Sequence, residues 1–187
     1  NWELFGVRNW LPAFLVSLPA VAATDDPTLA AGLLTGLTLS VGGIGNVAGG
    51  WASDRVGRSR AVGVALGTSG AISLAFAFLE GLSMPLLVAL LAVYGVVLVA
   101  DSSPTSTAVT EVVDDDHVGV ALALQTLVGF TMTVVSPVVF GFVLDARGFS
   151  AAFPTFALGA VGGLVSLVLL ARTRRAGALR RSPEAAD

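Results

Sequence analysis

The stretch GGIGNVAGGWASDRVGRSR, residues Gly42–Arg60, joins a glycine-rich run to a short charged segment. From Gly43 onward it fits the pattern G-x-G-x-x-A of a dinucleotide-binding turn. That turn requires a strand before the glycines and a helix opening after them. Here a long apolar run precedes the glycines, and charged residues follow Gly50. The context therefore disfavours a nucleotide site, and we predict that the glycines lie inside a helix.

The composition is that of an integral membrane protein. The 187 residues are 55% hydrophobic and 12% charged, with a mean hydropathy of +0.85, whereas soluble domains carry about 25% charged residues. Apolar runs of about 20 residues are long enough to cross a bilayer as helices, and barrel strands are shorter and alternate in polarity. We predict an all-α membrane protein in the lipid bilayer. We expect no cofactor, no metal and no nucleic-acid partner.

Six apolar segments are separated by short polar clusters. Their approximate ranges are 1–23, 29–52, 61–79, 84–110, 118–144 and 150–171. They predict one bundle of six transmembrane helices over residues 1–171, followed by a flexible cytoplasmic tail over 172–187. The charge-free part of the first segment, 9–23, is short for a full span, and the chain does not begin with Met. We interpret the first helix as truncated and the chain as a fragment.

The arginines predict the orientation. With six alternating spans, both chain ends and the 53–60 loop lie on one side of the membrane. That side receives eight of the ten basic residues: Arg55, Arg58, Arg60, Arg172, Arg174, Arg175, Arg180 and Arg181. The positive-inside rule makes it the cytoplasmic side, and the membrane is taken to be the plasma membrane.

The glycines of the second segment recur at helical spacing. Gly42, Asn46 and Gly50 form one row four residues apart, and Gly45 and Gly49 form another. Small residues let two helix backbones approach closely in lipid, where helices associate by packing. The rows therefore predict a tight contact with another helix.

The charged segment is the most specific motif in the chain. Its fixed positions, in the pattern G-x-x-x-D-R-x-G-R, are Gly50, Asp54, Arg55, Gly57 and Arg58. It resembles the G-x-L-x-D-R-x-G-R loop of the major facilitator superfamily, which links the second and third helices of each six-helix half on the cytoplasmic side. The segment lies between the second and third apolar runs here too. Ala52 stands where the family usually has leucine.

The resemblance implies a function. It implies a secondary active transporter that moves a small solute by alternating access, with a proton as the expected coupling ion. The chain then corresponds to one half of such a protein, in our interpretation the C-terminal half of a prokaryotic member, and the N-terminal half is its missing partner. By the same resemblance, Asp54, Arg55 and Arg58 gate a conformational change and do not touch the solute.

Asp101 is the most conspicuous charge inside a predicted span. A central charge costs about 2.5–3.5 kcal/mol on insertion, which the many leucines and valines of the fourth segment offset. An intramembrane acid still needs a partner or a water-filled cavity. Asp101 is therefore a candidate for binding the solute or the coupling proton, and the alternative is a cap near the interface. The helix is also expected to loosen at the Ser-Ser-Pro sequence that follows Asp101.

Four further polar residues are candidates for the same role. Arg8 and Asn9 lie in the first segment, where a cavity-facing arginine would suit an anionic solute. A position near the membrane surface would instead let Arg8 snorkel. Tyr94 and Gln125 are lesser candidates, since such side chains also bond neighbouring helices.

Two alternatives stay open. One is a six-helix membrane protein that works as a dimer or as an accessory subunit. The other is an intramembrane protease, because the sequence Gly67-Thr-Ser-Gly70 matches the G-x-S-G motif of rhomboids. A serine nucleophile needs a base within hydrogen-bond reach, but His117, the one histidine, follows three aspartates in a predicted loop. We therefore do not expect an enzyme.

Overall fold

The structure, a computed structural model, describes residues 1–172. Over this range the regular structure is helical, and nine α-helices follow one another along the chain: α1 Trp2–Ser17, α2 Pro19–Ala22, α3 Pro27–Val56, α4 Arg58–Ala75, α5 Met84–Val99, α6 Ser102–Val112, α7 Val118–Arg147, α8 Phe149–Ala152 and α9 Pro154–Ala171. Short 3₁₀ helices at Phe76–Gly81 and Asp115–His117 join α4 to α5 and α6 to α7. The predicted tail, beyond Arg172, lies outside the described residues.

Five stretches within the described range are long and apolar enough to cross a membrane. They are Pro27–Val56, Arg58–Leu79, Met84–Val112, Asp115–Arg147 and Phe149–Leu170. The first predicted segment corresponds to α1 and α2, and the 16 residues of α1 fall short of that length. The all-helical membrane fold is confirmed with five candidate spans, and the sixth span stays a prediction.

The predicted 53–60 loop is wrong, because nearly all of it is helical. Helix α3 continues through Val56 and α4 begins at Arg58, so Gly57 alone separates them. Its φ of 91° lies in the left-handed region, which glycine adopts without the steric cost of a Cβ. The chain therefore reverses at one residue, and the charged motif is carried by two helix ends.

The fourth predicted segment is broken into α5 and α6 at Ala100 and Asp101. Pro104 explains the position of the break, because its ring has no N–H to donate to Ala100 and would clash with that carbonyl in a continuous helix. Beyond the break, Thr105 N donates to the Asp101 carbonyl at 3.1 Å. The predicted loosening is confirmed, just N-terminal to the Ser-Ser-Pro sequence.

The core lies where α1 packs against α3, α7 and α9. At the α2 and α8 end of the bundle, a cluster of aromatic rings fills the interior: Phe14, Phe76, Phe140, Phe149, Phe153 and Phe156. Phe153 is fully buried, stacks on Phe76 at 4.7 Å between centroids and meets Phe140 edge-on at 5.3 Å. This aromatic cluster closes one end of the molecule.

Candidate gating site and cavity

Arg58 is placed by the one-residue turn between α3 and α4. It occupies the first position of α4, directly after Gly57, and its residue exposure is only 7%. Ser53 and Asp54 lie in the last turn of α3, so the turn folds the guanidinium back onto them. Two helix ends thus meet over one buried cation.

The Arg58 guanidinium bonds to three other residues. Nη1 donates to Ser53 Oγ at 2.7 Å and also to the Asp54 carboxylate. Nη2 and Nε both donate to Glu111 Oε1, at 3.0 and 3.3 Å. Because Glu111 lies near the end of α6, Arg58 ties α3, α4 and α6 together. We call Asp54, Arg58 and Glu111 the ion triad.

Exposure decides which contact of the ion triad is the stronger. The Asp54 side chain is 56% exposed, against 34% for Glu111 and 9% for Arg58. Water screens an ion pair with an exposed partner, and such pairs contribute about 0–1 kcal/mol. The Arg58–Glu111 contact, with a shared acceptor oxygen and less water, is the stronger link. It joins two helices whose residues are 53 positions apart in sequence, whereas Asp54 lies only one turn from Arg58.

Sequence reasoning missed Glu111. It lies 53 residues from Arg58, outside the motif that includes Arg58, and the motif does not indicate which acid binds Arg58. The available signal was that Glu111 is an acid at the end of an otherwise uncharged stretch, 102–113.

Arg55 points away from the ion triad. Its guanidinium lies 4.0 Å above the ring of Trp51, and both residues are exposed. The structure thus brings Asp54 and Arg58 together but leaves Arg55 in a separate cation–π contact on the surface of α3.

The predicted close helix contact involves both glycine rows of α3. A Cβ at Gly45 or Gly49 would collide with the backbone carbonyl of Val96 or Ala100 on the α5 side. From the other helix, a Cβ at Gly95 would collide with the carbonyl of Thr38. The contact continues past the helix break, where a Cβ at Gly50 would lie 3.1 Å from Ser103 Oγ. The interpretation is confirmed for the glycines of both rows, whereas Asn46 is exposed.

A cavity of about 470 Å³ extends from the ion triad into the bundle, lined by α1, α4, α5, α6 and α9. Its wall is mainly apolar and includes Leu66, Val109 and Leu167, and Arg58 of the ion triad also lines it. Asp101 lines this cavity at the α5–α6 break and caps no helix with its side chain. The structure therefore places Asp101 beside a cavity, as a solute-binding or proton-binding residue requires.

Tyr94 is fully buried, and its hydroxyl belongs to a cluster of three hydrogen-bonded side chains. Its hydroxyl donates to Glu3 Oε1 at 2.8 Å, and Ser73 Oγ donates to that oxygen too. The hydroxyls of Ser73 and Tyr94 are 2.8 Å apart. We call these three side chains the Glu3 cluster. Glu3 was missed from the sequence as a site residue, since its partners lie 70 and 91 residues away.

The profile of the Major Facilitator Superfamily matches residues 5–187. The chain belongs to the major facilitator superfamily. Members of this family are membrane transporters of small solutes, and the apolar helices of the chain fit a multi-pass membrane protein. Among curated proteins, no significant match to the chain is found.

The other residues predicted to bind the solute or the proton do not line the cavity. Arg8 and Asn9 are exposed on α1, and Asn9 Nδ2 donates to the Phe5 carbonyl at 2.7 Å. Gln125 on α7 reaches Ser106 Oγ at 3.5 Å, while its Oε1 is buried without a hydrogen-bond partner in the described part of the chain. The structure thus places Asp101 on the cavity wall and Tyr94 on Glu3, which also lines the cavity, but it brings none of these three there.

The geometry gives no support to a serine protease. Ser69 is buried and donates to the Leu66 carbonyl at 3.3 Å. His117 is exposed in the short helix between α6 and α7. Over residues 1–172 no hydrogen bond joins the two side chains, as nucleophile and base would require.

Proposed function

We propose that the chain is one half of a secondary active transporter that moves a small solute by alternating access, coupled to protons. The observation that carries this proposal is the ion triad. A buried arginine at the α3–α4 junction holds an acid of α6, beside a cavity that reaches Asp101. Breaking and remaking the Arg58–Glu111 contact would let the α6 end move away from α4. In this scheme, the motif residues Asp54 and Arg58 gate the movement, whereas Arg55, which the sequence motif had included in the gate, lies outside it on Trp51.

The orientation is part of the proposal. Arg58 at the start of α4 contacts Glu111 near the end of α6, and a Cβ at Gly63 of α4 would lie 3.9 Å from Leu167 near the end of α9. The α3–α4 turn, the end of α6 and the end of α9 therefore lie at the same end of the bundle. Arg55, Arg60 and Arg172 follow or flank these helix ends. This arginine-rich end fits the cytoplasmic side of the plasma membrane.

Exposed side chains support the proposed partner half and the proposed anionic solute. Helices α3 and α7 expose long apolar faces, including Leu33, Val47, Leu127 and Val134, which suit lipid and the second half of the transporter. Arg8 forms no ion pair within residues 1–172 and is exposed, so it is available to an anionic solute. Two six-helix halves around a midplane site are the usual basis of alternating access in this fold.

The test is side-specific labelling of a cavity residue. The chain contains no cysteine, so Ala108→Cys, on the cavity wall, provides a single reactive group, which we call the cavity thiol. A membrane-impermeant maleimide is applied to inside-out vesicles and, separately, to intact cells. We expect labelling from the cytoplasmic side to become about fivefold faster with Glu111→Gln, since loss of about 1 kcal/mol shifts a two-state equilibrium by that factor.

The controls separate gating from unfolding. Asp145→Asn removes an exposed acid far from the ion triad and should leave the labelling rate unchanged. In a separate variant, Asp115→Cys provides an exposed reference thiol, which reports the intrinsic rate of the reagent. Equal labelling of the cavity thiol with and without the Glu111 carboxylate would contradict the proposed gate.

A further inference from the structure

Glu3 is a carboxylic acid that points into the bundle, away from its own helix end. An acid in the first turn of a helix usually interacts with the free backbone N–H groups there. The Glu3 carboxyl instead contacts α4 through Ser73 and α5 through Tyr94. Both partners have 0% exposure. The cluster therefore holds a carboxyl group between three helices of a membrane protein.

The charges around Glu3 leave it without a cationic partner. Within residues 1–172, the ion pairs of the side chains are those of the ion triad, where Arg58 is already shared by two acids. The other acid on the cavity wall is Asp101, which has the same charge as Glu3. Asn1 and Arg58 also line the cavity, but neither forms an ion pair with Glu3 within residues 1–172, and α9 has no titratable side chain. A buried charge without a partner is costly, and a carboxylate removes its charge by binding a proton.

The three oxygen–oxygen contacts of the Glu3 cluster need three hydrogen-bond donors, and the two hydroxyls supply only two. Glu3 Oε1, Ser73 Oγ and Tyr94 Oη form a closed triangle with three short oxygen–oxygen contacts. Each hydroxyl has a single proton to donate, so with an ionised carboxyl only two of the three contacts are hydrogen bonds. A protonated carboxyl adds the third donor and completes the ring.

The cavity gives this proton a route. Glu3 and Ser69 line the same cavity as Arg58 and Ser59 at the start of α4. Ser69 lies eleven positions after Arg58 in α4, a rise of about 16 Å at 1.5 Å per residue. Water in the cavity can thus reach the Glu3 carboxyl from the end where the ion triad lies.

From this geometry, we infer that Glu3 binds and releases the coupling proton. The step is the transfer of one proton from cavity water to the Glu3 carboxylate, and its return when the cavity faces the other side. Ser73 and Tyr94 donate to the ionised form and complete the ring with the neutral form. This role rests on the proposed transport function, but proton binding at Glu3 can be tested without transport.

Difference infrared spectroscopy of the full chain in lipid tests proton binding directly. Spectra recorded at high and low pH show the carbonyl stretching band of any carboxyl that gains a proton. We expect the protonation spectra of the parent and of Glu3→Gln to differ by one carboxyl band, and the matched change Asp101→Asn to keep that same band. Identical protonation bands in the parent and Glu3→Gln, or loss of that band only in Asp101→Asn, would overturn the assignment.

A second variant protects the test against misfolding of Glu3→Gln. Tyr94→Phe keeps the ring of Tyr94 and removes its hydroxyl, so the band should remain and move to higher frequency because the carboxyl loses a hydrogen bond. An unchanged frequency would show that the carboxyl in the spectrum is not bonded to Tyr94. All variants are compared with the parent by gel filtration and circular dichroism.

The coupling itself is tested with the cavity thiol. Its labelling rate, divided by that of the reference thiol to remove the pH dependence of the reagent, should vary with pH when Glu3 is present. The ratio should become independent of pH with Glu3→Gln but not with Asp145→Asn. A ratio that keeps its pH dependence in Glu3→Gln would exclude the coupling role, whereas labelling that never depends on the side of the membrane would reject the transporter proposal.

Discussion

The two ends of the bundle are built in opposite ways. At the α2 and α8 end, six phenylalanine rings pack on one another at centroid distances near 5 Å, and Phe76, Phe140, Phe153 and Phe156 have exposures of 0–1%. At the other end, α1, α4, α5, α6 and α9 surround the cavity, and polar contacts, those of the ion triad and the Glu3 cluster, link the helices. Close packing resists deformation, whereas an ion pair next to water can open at small cost. In the proposed transport cycle, the cavity end is therefore the part expected to move, and the aromatic end is its expected support.

The largest effect should come from opening a hole in the aromatic end. Phe153→Ala removes a fully buried ring that touches Phe14, Phe76, Phe140 and Phe156. In water-soluble cores, this change costs about 3–5 kcal/mol. We expect about 2–3 kcal/mol here, because lipid is itself apolar and the cavity cost dominates.

This loss can be measured by denaturant unfolding in mixed micelles. Phe142→Ala is the matched control, since the Phe142 side chain is 73% exposed on the lipid-facing surface. Equal destabilisation by the two changes would mean that the aromatic cluster is not a special support.

The next largest loss of stability should follow from a bulky side chain placed between α3 and α5. In Gly45→Val, the new side chain meets the Val96 carbonyl, and overpacking of this kind costs about 1–3 kcal/mol. Gly36→Val is the control, because a Cβ there meets nothing within 4 Å. The unfolding free energies of the two variants are compared. If both changes lower the free energy of unfolding equally, the close α3–α5 packing is not what destabilises Gly45→Val.

A smaller effect is expected at the ion triad. Glu111→Gln keeps the shape of the side chain and removes its charge, which should lower the free energy of unfolding by about 1 kcal/mol or less. Salt should weaken this difference, because exposed ion pairs are screened. Measuring the unfolding of parent and variant at low and high ionic strength tests this. A loss as large as that of Phe153→Ala would contradict the contrast between the two ends.

The smallest effect belongs to Arg55. Its contact with Trp51 is exposed, and such cation–π contacts are worth about 0.5–1 kcal/mol. Arg55→Lys should therefore leave the unfolding free energy almost unchanged and should not alter labelling of the cavity thiol. Faster labelling in Arg55→Lys would bring this residue into the gate.

The sequence was sufficient for those features that depend on neighbours along the chain. The apolar runs predicted the helices, Pro104 accounts for the break near Asp101, and the glycine rows of α3 indicated a close helix contact. The junction at Gly57 was recognised, but its length was overestimated because polar residues were taken for a loop. A glycine with positive φ reverses the chain in one residue, so Asp54 and Arg58 remain helical.

The partners of the site residues could not be predicted in the same way. Glu111 and Glu3 receive their roles from side chains that are 53 to 91 residues away. Such contacts depend on how whole helices are rotated and stacked, and the spans have no distinct apolar stripe that would fix their rotation. Arg8 is exposed on α1, and its role in binding the solute stays a prediction.

The contrast between the two ends is tested most directly by distance measurements between spin labels. In the cysteine-free chain, Arg60→Cys with Asp115→Cys spans the cavity end, and Asp25→Cys with Arg147→Cys spans the aromatic end. We predict two distances at the cavity end, with Glu111→Gln favouring the longer one, and a single unchanged distance at the aromatic end. One narrow distance at the cavity end, unaffected by Glu111→Gln, would contradict the account.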